Sequence, residues 1–203
     1  MPRAATGLLV GAVVYAASAC AEDSAPRQPP IEGVAVVVDG DGLDIGGRKI
    51  RLFGIDAPEV GQYCERPAND SRGGPAATTR WRCGQYATVA LDRIAGGRRV
   101  RCEVEATDSY GRAVAICRLR DGTDPANDPA TDPGIDQGIG RGIGPGIDLG
   151  IDLGAEQVRR GWAVAYRRYS ERYVPLEDEA RGMRIGVWSG TFEKPWDWRR
   201  RVR

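Results

Sequence analysis

Residues 51–59 read RLFGIDAPE and decide how the rest of the chain is interpreted. An apolar strand runs into a proline turn, with Arg51 at its start and with Asp56 and Glu59 at its end. Binding and catalytic residues concentrate on loops held by a rigid scaffold. The stretch therefore predicts a strand that leads directly into a functional site.

Two further motifs repeat this arrangement of charge at a strand end. Residues 39–42 read DGDG and close the β-branched run at 34–38, and residues 108–112 read DSYGR. The second motif separates strand-like segments at 100–104 and 113–119, which predicts antiparallel neighbours. Taken singly each motif is typical of an ordinary turn, so the functional signal lies in their order and spacing.

The segments between the motifs predict further elements. Residues 43–45 and 49–55 flank Gly46-Gly47 and indicate a hairpin. Apolar residues recur at helical spacing over 83–94, whereas 60–80 is typical of a polar loop. Shorter helices are predicted at 155–160 and 176–183. We expect the aromatic residues near the C-terminus to pack against the barrel: Trp188, Phe192, Trp196 and Trp198.

The composition excludes several kinds of enzyme, because the chain has no histidine. A Ser-His-Asp triad, a Cys-His pair and a histidine-bound zinc site all need an imidazole. Hydrolysis would therefore depend on carboxylates, arginine, tyrosine, lysine, cysteine or a metal bound by oxygen.

The N-terminus is typical of an exported protein. Residues 1–21 have the basic start, short apolar segment and small residues of a signal peptide, and 22–33 are interpreted as a linker. Cleavage would release a secreted or periplasmic protein. Alternatively, Cys20 would carry a lipid and anchor the protein to a membrane.

Four cysteines remain after Cys20 is set aside, which suggests two disulfides in an exported chain. No pair has metal-binding C-x-x-C spacing, so zinc is the weaker interpretation. We expect Cys102 to pair with Cys117, because they lie on predicted neighbouring strands. Cys64 and Cys83 bracket the long loop and would form the other bridge.

Residues 121–153 form a Gly- and Asp-rich segment that we interpret as a low-complexity insertion. A repeat-type calcium site would need a regular spacing that is missing here. The segment has seven aspartates and one arginine. Setting it and Arg3 aside leaves 27 basic and 21 acidic residues, so the predicted folded part is basic although the whole chain is only +1. Residues 199–203 are interpreted as a basic tail.

The charged residues of the three motifs are chemically complementary. Asp41 and Asp56 offer the hard oxygen ligands that calcium prefers. Arg51 and Arg112 carry planar guanidiniums that bind phosphate oxygens in pairs. Glu59 is suited to deprotonating a water molecule. Together they could attack a phosphodiester and stabilise the developing charge.

In combination, the motifs DGD, RLFGIDAPE and DSYGR resemble the staphylococcal nuclease (thermonuclease) family. The resemblance runs from residue 34 to 198, apart from the insert, and includes VRRGWA at 158–163 and GVW at 186–188. It implies an α+β fold, with a five-stranded OB-type β-barrel and about three packed helices. It also implies a calcium-dependent endonuclease that cuts DNA and RNA and leaves 3′-phosphates.

The resemblance assigns roles residue by residue. It implies that Asp41, Asp56 and the Ala57 carbonyl bind Ca²⁺, and that Glu59 activates water. It implies that Arg51 and Arg112 bind the scissile phosphate. Tyr110 and Tyr166 are similar to the tyrosines that contact the nucleotide. The chain has Gly42 and Ala57 where threonine occurs in the family, which bears on the affinity for the metal.

Two other functions remain as alternatives. One is a non-catalytic OB-type module that binds nucleic acid without cutting it. The other is an envelope lipoprotein whose 121–153 segment binds calcium or a partner. Neither the nuclease nor these alternatives requires more than a monomer.

Overall fold

Five strands form a closed barrel in the computed structural model, which describes residues 28–68, 78–120 and 150–202. The barrel strands, numbered with all strands in chain order, are β1 (Ile31–Val37), β2 (Gly42–Ile45), β3 (Arg48–Leu52), β7 (Arg99–Thr107) and β8 (Ala113–Leu119). Their order is β1-β2-β3-β8-β7, and only the β3–β8 pair is parallel. This confirms the expected α+β fold with an OB-type barrel.

The barrel interior follows from alternation along the strands. Leu43 on β2 lies opposite Ile50 on β3, and both side chains are almost fully buried. Leu52 continues the same alternation, since successive residues of a strand point to opposite faces. The inward residues are small or branched and apolar: Ala35, Leu43, Ile45, Ile50, Leu52, Val100, Ala115 and Leu119.

Two small antiparallel pairs lie outside the barrel. β4 (Ile55–Asp56) pairs with β9 (Val164–Ala165), and β5 (Cys64–Pro67) pairs with β6 (Thr78–Trp81). The second pair corrects the prediction of a polar loop over 60–80. Charged and proline residues in this segment obscured the strand pattern, although Thr78–Trp81 has residue types that favour strands.

Four helices are described: α1 (Cys83–Ala95), α2 (Leu153–Arg159), α3 (Val174–Gly182) and α4 (Pro195–Val202). The first three were predicted, with shifts of a few residues at their ends. α4 was not, because 199–203 was interpreted as a tail. Pro195 at its start, Asp197 in its first turn and arginines in its last turn all suit a helix.

Two boundaries also differ from the sequence analysis. β1 begins at Ile31 rather than at residue 34, and its first four residues pair with β7. Residues 150–153 belong to the folded part: Asp152 caps α2 by accepting from the Ala155 N–H (3.0 Å), and Leu153 is fully buried. The predicted signal peptide, Cys20 and residues 121–149 lie outside the described residues. No helix in the described part is long and apolar enough to span a membrane.

Both expected disulfides are present. Cys102 and Cys117 face each other across β7 and β8, with their Cα atoms 4.0 Å apart. Cys64 and Cys83 are 5.6 Å apart at Cα and join the start of β5 to the first residue of α1. The second bridge spans the segment whose inner part, 69–77, lies outside the described residues.

We expect the Cys64→Ala/Cys83→Ala variant to lose about 3 kcal/mol of unfolding free energy, because the bridge closes a loop in the unfolded chain. Urea denaturation under oxidising conditions measures the loss. In strong reductant, where the wild-type bridge also opens, the difference should disappear. Equal stability of variant and wild type under oxidising conditions would contradict the prediction.

Candidate active site

The DGDG turn between β1 and β2 places Asp41 at one end of the barrel. The Asp39 carboxylate accepts from the Asp41 N–H (3.1 Å), which stabilises the turn. The Asp41 carbonyl accepts from Leu52 N–H at the end of β3 (2.8 Å). Buried Gln157 of α2 donates to the carbonyls of Gly40 (2.7 Å) and Ala87 (3.0 Å). The turn is therefore bound to the barrel and to two helices.

Arg51 bridges the two aspartates that were predicted to bind metal. Its guanidinium donates to Asp41 Oδ1 (2.9 Å) and to Asp56 Oδ1 (2.5 Å). The Arg51 side chain is only 16% exposed, and Asp56 is fully buried. Burial opposes the charge of Arg51, but Asp41 and then Asp56 raise its pKa above the ordinary value. All three charges are thus compensated inside the protein.

Asp41 has a second partner that links it to the RLFGIDAPE stretch. Its Oδ2 accepts from the Ala57 N–H (3.0 Å), so Ala57 lies next to both aspartates. Burial raises the pKa of Asp41 to about 7, an effect that the nearby charge of Arg51 opposes. Two opposing effects therefore act on this carboxyl group. Burial favours its neutral form, and the adjacent guanidinium favours its charged form.

Glu59 is positioned by the N-terminal end of α1. A side chain at Gly84 would meet the Glu59 carbonyl at 1.7 Å from its Cβ, so only glycine allows this approach. The Gly84 N–H donates to the Gln62 carbonyl (3.3 Å), and the Glu59 N–H donates to Gln62 Oε1 (3.3 Å). The Glu59 side chain is about one third exposed (32%) and can reach solvent.

The DSYGR motif forms the turn between β7 and β8. Gly111 has a φ of 78°, a conformation that side chains disfavour. Asp108 accepts from the N–H groups of Tyr110 (2.9 Å) and Arg112 (3.0 Å), and from Arg112 Nε (2.8 Å). The Tyr110 ring is 71% exposed, with the Arg112 guanidinium 5.8 Å from its centre. The side chains of Arg112 and Tyr110 therefore reach solvent at the rim of the turn.

One cleft of about 770 Å³ brings these motifs together. Its walls include every predicted catalytic, metal-binding or nucleotide-contacting residue except Asp56: Asp41, Arg51, Ala57, Glu59, Tyr110, Arg112 and Tyr166. The Asp56 carboxylate lies behind the wall and contacts Arg51. Residues that are up to 125 positions apart in the chain thus share one cavity.

Arg199 of α4 is the residue that sequence analysis missed. It donates to both oxygens of Asp56 (3.0 and 2.7 Å) and to Glu59 Oε1 (2.6 Å), and it lines the cleft. Burial would lower its pKa, but hydrogen bonds to Asp56 and Glu59 raise it above the ordinary value. The available signal was the pattern PWDWRRR at 195–201, in which a proline and an acidic residue precede three consecutive arginines, an order that suits a short helix.

The donor set fits a hard divalent cation. The carboxylates of Asp41 and Asp56 are buried oxygen donors, and Ala57 is beside them. Within the described residues, no three acidic side chains converge as a formed metal site. Arg51 bridges the two aspartates, and Arg199 connects Asp56 with Glu59. A cation bound here would take the place of part of these arginine contacts.

A family model described as staphylococcal nuclease homologue matches residues 49–190, which is more than half of the chain. The chain belongs to this family. The match includes Arg51, Asp56, Glu59, Arg112 and Tyr166. The matched region contains most of the residues that line the cleft, whereas Asp41 and Arg199 lie outside it.

Relatives have varied names. Succinoglycan biosynthesis protein ExoI of Rhizobium meliloti (strain 1021) is 39% identical over 116 residues, 57% of this chain and 55% of that protein. Protein ParB of Escherichia coli is 31% identical over 210 residues, 98% of this chain and 91% of that protein. Probable endonuclease LCL3 of Schizophyllum commune is 28% identical over 165 residues, which is 75% of this chain and 44% of that protein. The chain spans about half the length of ExoI and of LCL3.

We expect Arg199→Gln to destabilise the protein by about 1–3 kcal/mol in chelator, because a buried oxygen of Asp56 loses its partner. About a quarter of the Arg199 side chain is exposed, so solvent screens the ion pair. The loss of unfolding free energy is therefore smaller than for a fully buried pair. Urea denaturation measures it. Arg201→Gln is the matched control, since exposed Arg201 is on the same helix but pairs with Glu193, which is not fully buried as Asp56 is. Equal stability of the two variants would contradict the prediction.

Proposed function

We propose that the protein is a calcium-dependent endonuclease that hydrolyses phosphodiester bonds of DNA and RNA and leaves 3′-phosphates. The observation that carries this proposal is the shared cleft: Arg51, Glu59 and Arg112 line it beside the buried pair Asp41 and Asp56. A base and two guanidiniums around one cavity are the groups that attack on a phosphodiester requires.

The arginines bind and polarise the phosphate in this proposal. Among the residues that the structure describes, Arg112 has a single carboxylate partner, Asp108, and it is about one third exposed, so it can turn towards a phosphate in the cleft. Arg51 is held in place by two carboxylates and therefore provides a fixed positive charge. Charge that develops on the phosphate oxygens is stabilised by both.

Glu59 takes the proton from the attacking water. The water oxygen forms a bond to phosphorus, and the bond from phosphorus to the 5′-oxygen breaks. The 5′-oxygen leaves and takes a proton from solvent water to become a hydroxyl, Glu59 later returns its proton to solvent, and the 3′-oxygen keeps the phosphate. Glu59 is suited to this role because its side chain borders the cleft and is accessible to water.

Asp41, Asp56 and the Ala57 carbonyl would hold the calcium ion. The ion would supply Lewis-acid polarisation of the phosphate when bound. Asp56 and Glu59 share Arg199, so Arg199 competes with a cation for Asp56 and restrains the base. A phosphate that enters the cleft gives the guanidinium another anion to bind, which would release Glu59 for proton transfer.

We also propose that the protein is exported. Two disulfides among the described residues favour an oxidising compartment, because cytosolic proteins rarely keep structural disulfides. We infer a secreted or periplasmic protein that acts as a monomer, with a lipid on Cys20 as the alternative.

We expect Glu59→Gln to slow cleavage of single-stranded DNA and RNA by about 10²- to 10⁴-fold, because the amide cannot accept the proton. Gel assays with purified protein in calcium measure the rates, and end-labelling of products detects 3′-phosphates. Glu179→Gln, a carboxylate on the exposed surface of α3, is the matched control and should cut at the wild-type rate.

The same assay tests the metal. Excess chelator should abolish cutting by the wild-type protein, and added calcium should restore it. Cutting at full rate in chelator would reject the mechanism. Salt-sensitive binding without products would favour the non-catalytic binding module instead.

We expect a deletion of residues 121–149 to leave both cleavage and stability intact. The residues that flank the deleted segment are adjacent: the Leu119 N–H donates to the Ile151 carbonyl (3.1 Å), and Gly150 packs on the Leu119 carbonyl. A short glycine linker can therefore join Arg120 to Gly150. Cleavage assays and urea denaturation measure the outcome. Loss of cutting in a deletion variant that still folds would favour a functional role for the insert.

A further inference from the structure

A second groove opens next to the catalytic cleft. It has a volume of about 590 Å³ and lies between β9 and α4. Tyr166 and Arg199 line both the groove and the cleft, so the two cavities adjoin along these side chains. A chain bound in the cleft could therefore continue into the groove without leaving the surface.

The groove contains aromatic rings at its border with the cleft. Tyr166 and Trp196 are stacked, with ring centres 5.1 Å apart and planes 7° apart. Tyr169 packs edge-on against Tyr166, at 4.9 Å between ring centres. Stacked rings provide flat faces on which nucleic-acid bases stack whatever their sequence.

The groove is also strongly basic. Five cationic residues line it, against one acidic residue, Glu177: Arg167, Arg168, Lys194, Arg199 and Arg200. Arg167 is neutralised by Glu177 (3.0 Å), and Arg200 pairs with Asp197. The excess charge of the groove must therefore come from the other cations.

Lys194 and Arg168 supply that excess. Neither has a carboxylate within ion-pair distance among the residues that the structure describes. The Lys194 ammonium is half-buried and packs on the rings of Trp188 (4.4 Å) and Phe192 (5.2 Å). Arg168 also lines the groove and is exposed. Glu177 and Asp197 act on the half-buried Lys194 ammonium only from beyond ion-pair distance, so it can still bind an anionic ligand, and its ordinary hydration is reduced.

We propose that this groove is a subsite for a single-stranded segment of DNA or RNA that flanks the phosphate in the cleft. Lys194 and Arg168 bind backbone phosphates, and Trp196 with Tyr166 stacks against bases. This inference rests on the proposed nuclease function, because it assumes a nucleic-acid strand in the cleft. It extends that function by making affinity depend on the length of the strand.

The test measures binding without cleavage. A fluorescent single-stranded oligonucleotide of about eight nucleotides, a size within the range of OB-type sites, is titrated in chelator and followed by anisotropy. We expect Arg168→Glu to weaken binding about tenfold and to lower the slope of log affinity against log salt by about 0.7 or more. Arg99→Glu, an exposed arginine on β7 that lines neither cavity, makes the same charge change and should bind as wild type does.

Strand length separates the groove from the cleft. Wild type should bind the longer oligonucleotide more tightly than a dinucleotide, and Arg168→Glu should reduce this difference. Lys194→Met should have a similar effect. The oligonucleotide should quench the tryptophan fluorescence of the wild type, and it should quench that of Trp196→Phe less. Circular dichroism and urea denaturation confirm that each variant is folded.

Failure of the inference is distinguishable from failure of the proposed function. If wild type cuts DNA but Arg168→Glu binds the oligonucleotide as tightly as Arg99→Glu does, the subsite is overturned while the nuclease stands. If wild type binds through the groove and does not cut in calcium, the nuclease proposal fails. An acidic peptide that competes as well as the oligonucleotide would overturn the assignment to nucleic acid.

Discussion

The site depends on a single buried guanidinium that holds two carboxylates. Arg51 is on β3, Asp41 is on the turn after β1, and Asp56 is on β4, so their contacts connect three elements at one end of the barrel. Buried charges are tolerated only when they are paired and hydrogen-bonded. Here the Ala57 N–H and Arg199 complete the pairing of the aspartates. The geometry of the cleft is therefore a consequence of how these charges are neutralised.

This neutralisation means that a ligand would have to bind by exchange. A cation at Asp41 and Asp56 would replace contacts that guanidiniums make, and a phosphate would attract guanidiniums that carboxylates now hold. The net affinity for either ligand is thus a difference between two sets of strong contacts. A cation and a phosphate that arrive together bring opposite charges, so each makes the exchange easier for the other.

Sequence predicted the parts of the site whose geometry is local. Each of the three motifs forms its turn within a few residues. Asp39 stabilises the turn of DGDG, a proline turn ends RLFGIDAPE, and Gly111 with Asp108 shapes the turn of DSYGR. Arg199 could not be found in this way, because it contacts Glu59 across 140 positions. Its role depends on how α4 packs, which no local pattern encodes.

The differences in the fold have a similar cause. β1 starts at Ile31 because its backbone pairs with β7, about seventy residues further on, and not because of its own residue types. β5 and β6 are held together by their pairing across the segment at 69–77 and by the bridge between Cys64 and Cys83. Propensity is a weak guide where long-range pairing decides.

The C-terminal helix contributes side chains to both the cleft and the groove. α4 supplies Arg199 to the cleft and Trp196 to the groove. The chain just before α4 is connected to Glu59, the proposed base, because Gln62 Nε2 donates to the Glu193 carbonyl (2.7 Å) while Gln62 Oε1 accepts from the Glu59 N–H. A displacement of α4 would therefore affect Glu59 in two ways. Arg199 contacts its carboxylate, and Gln62 contacts its backbone N–H.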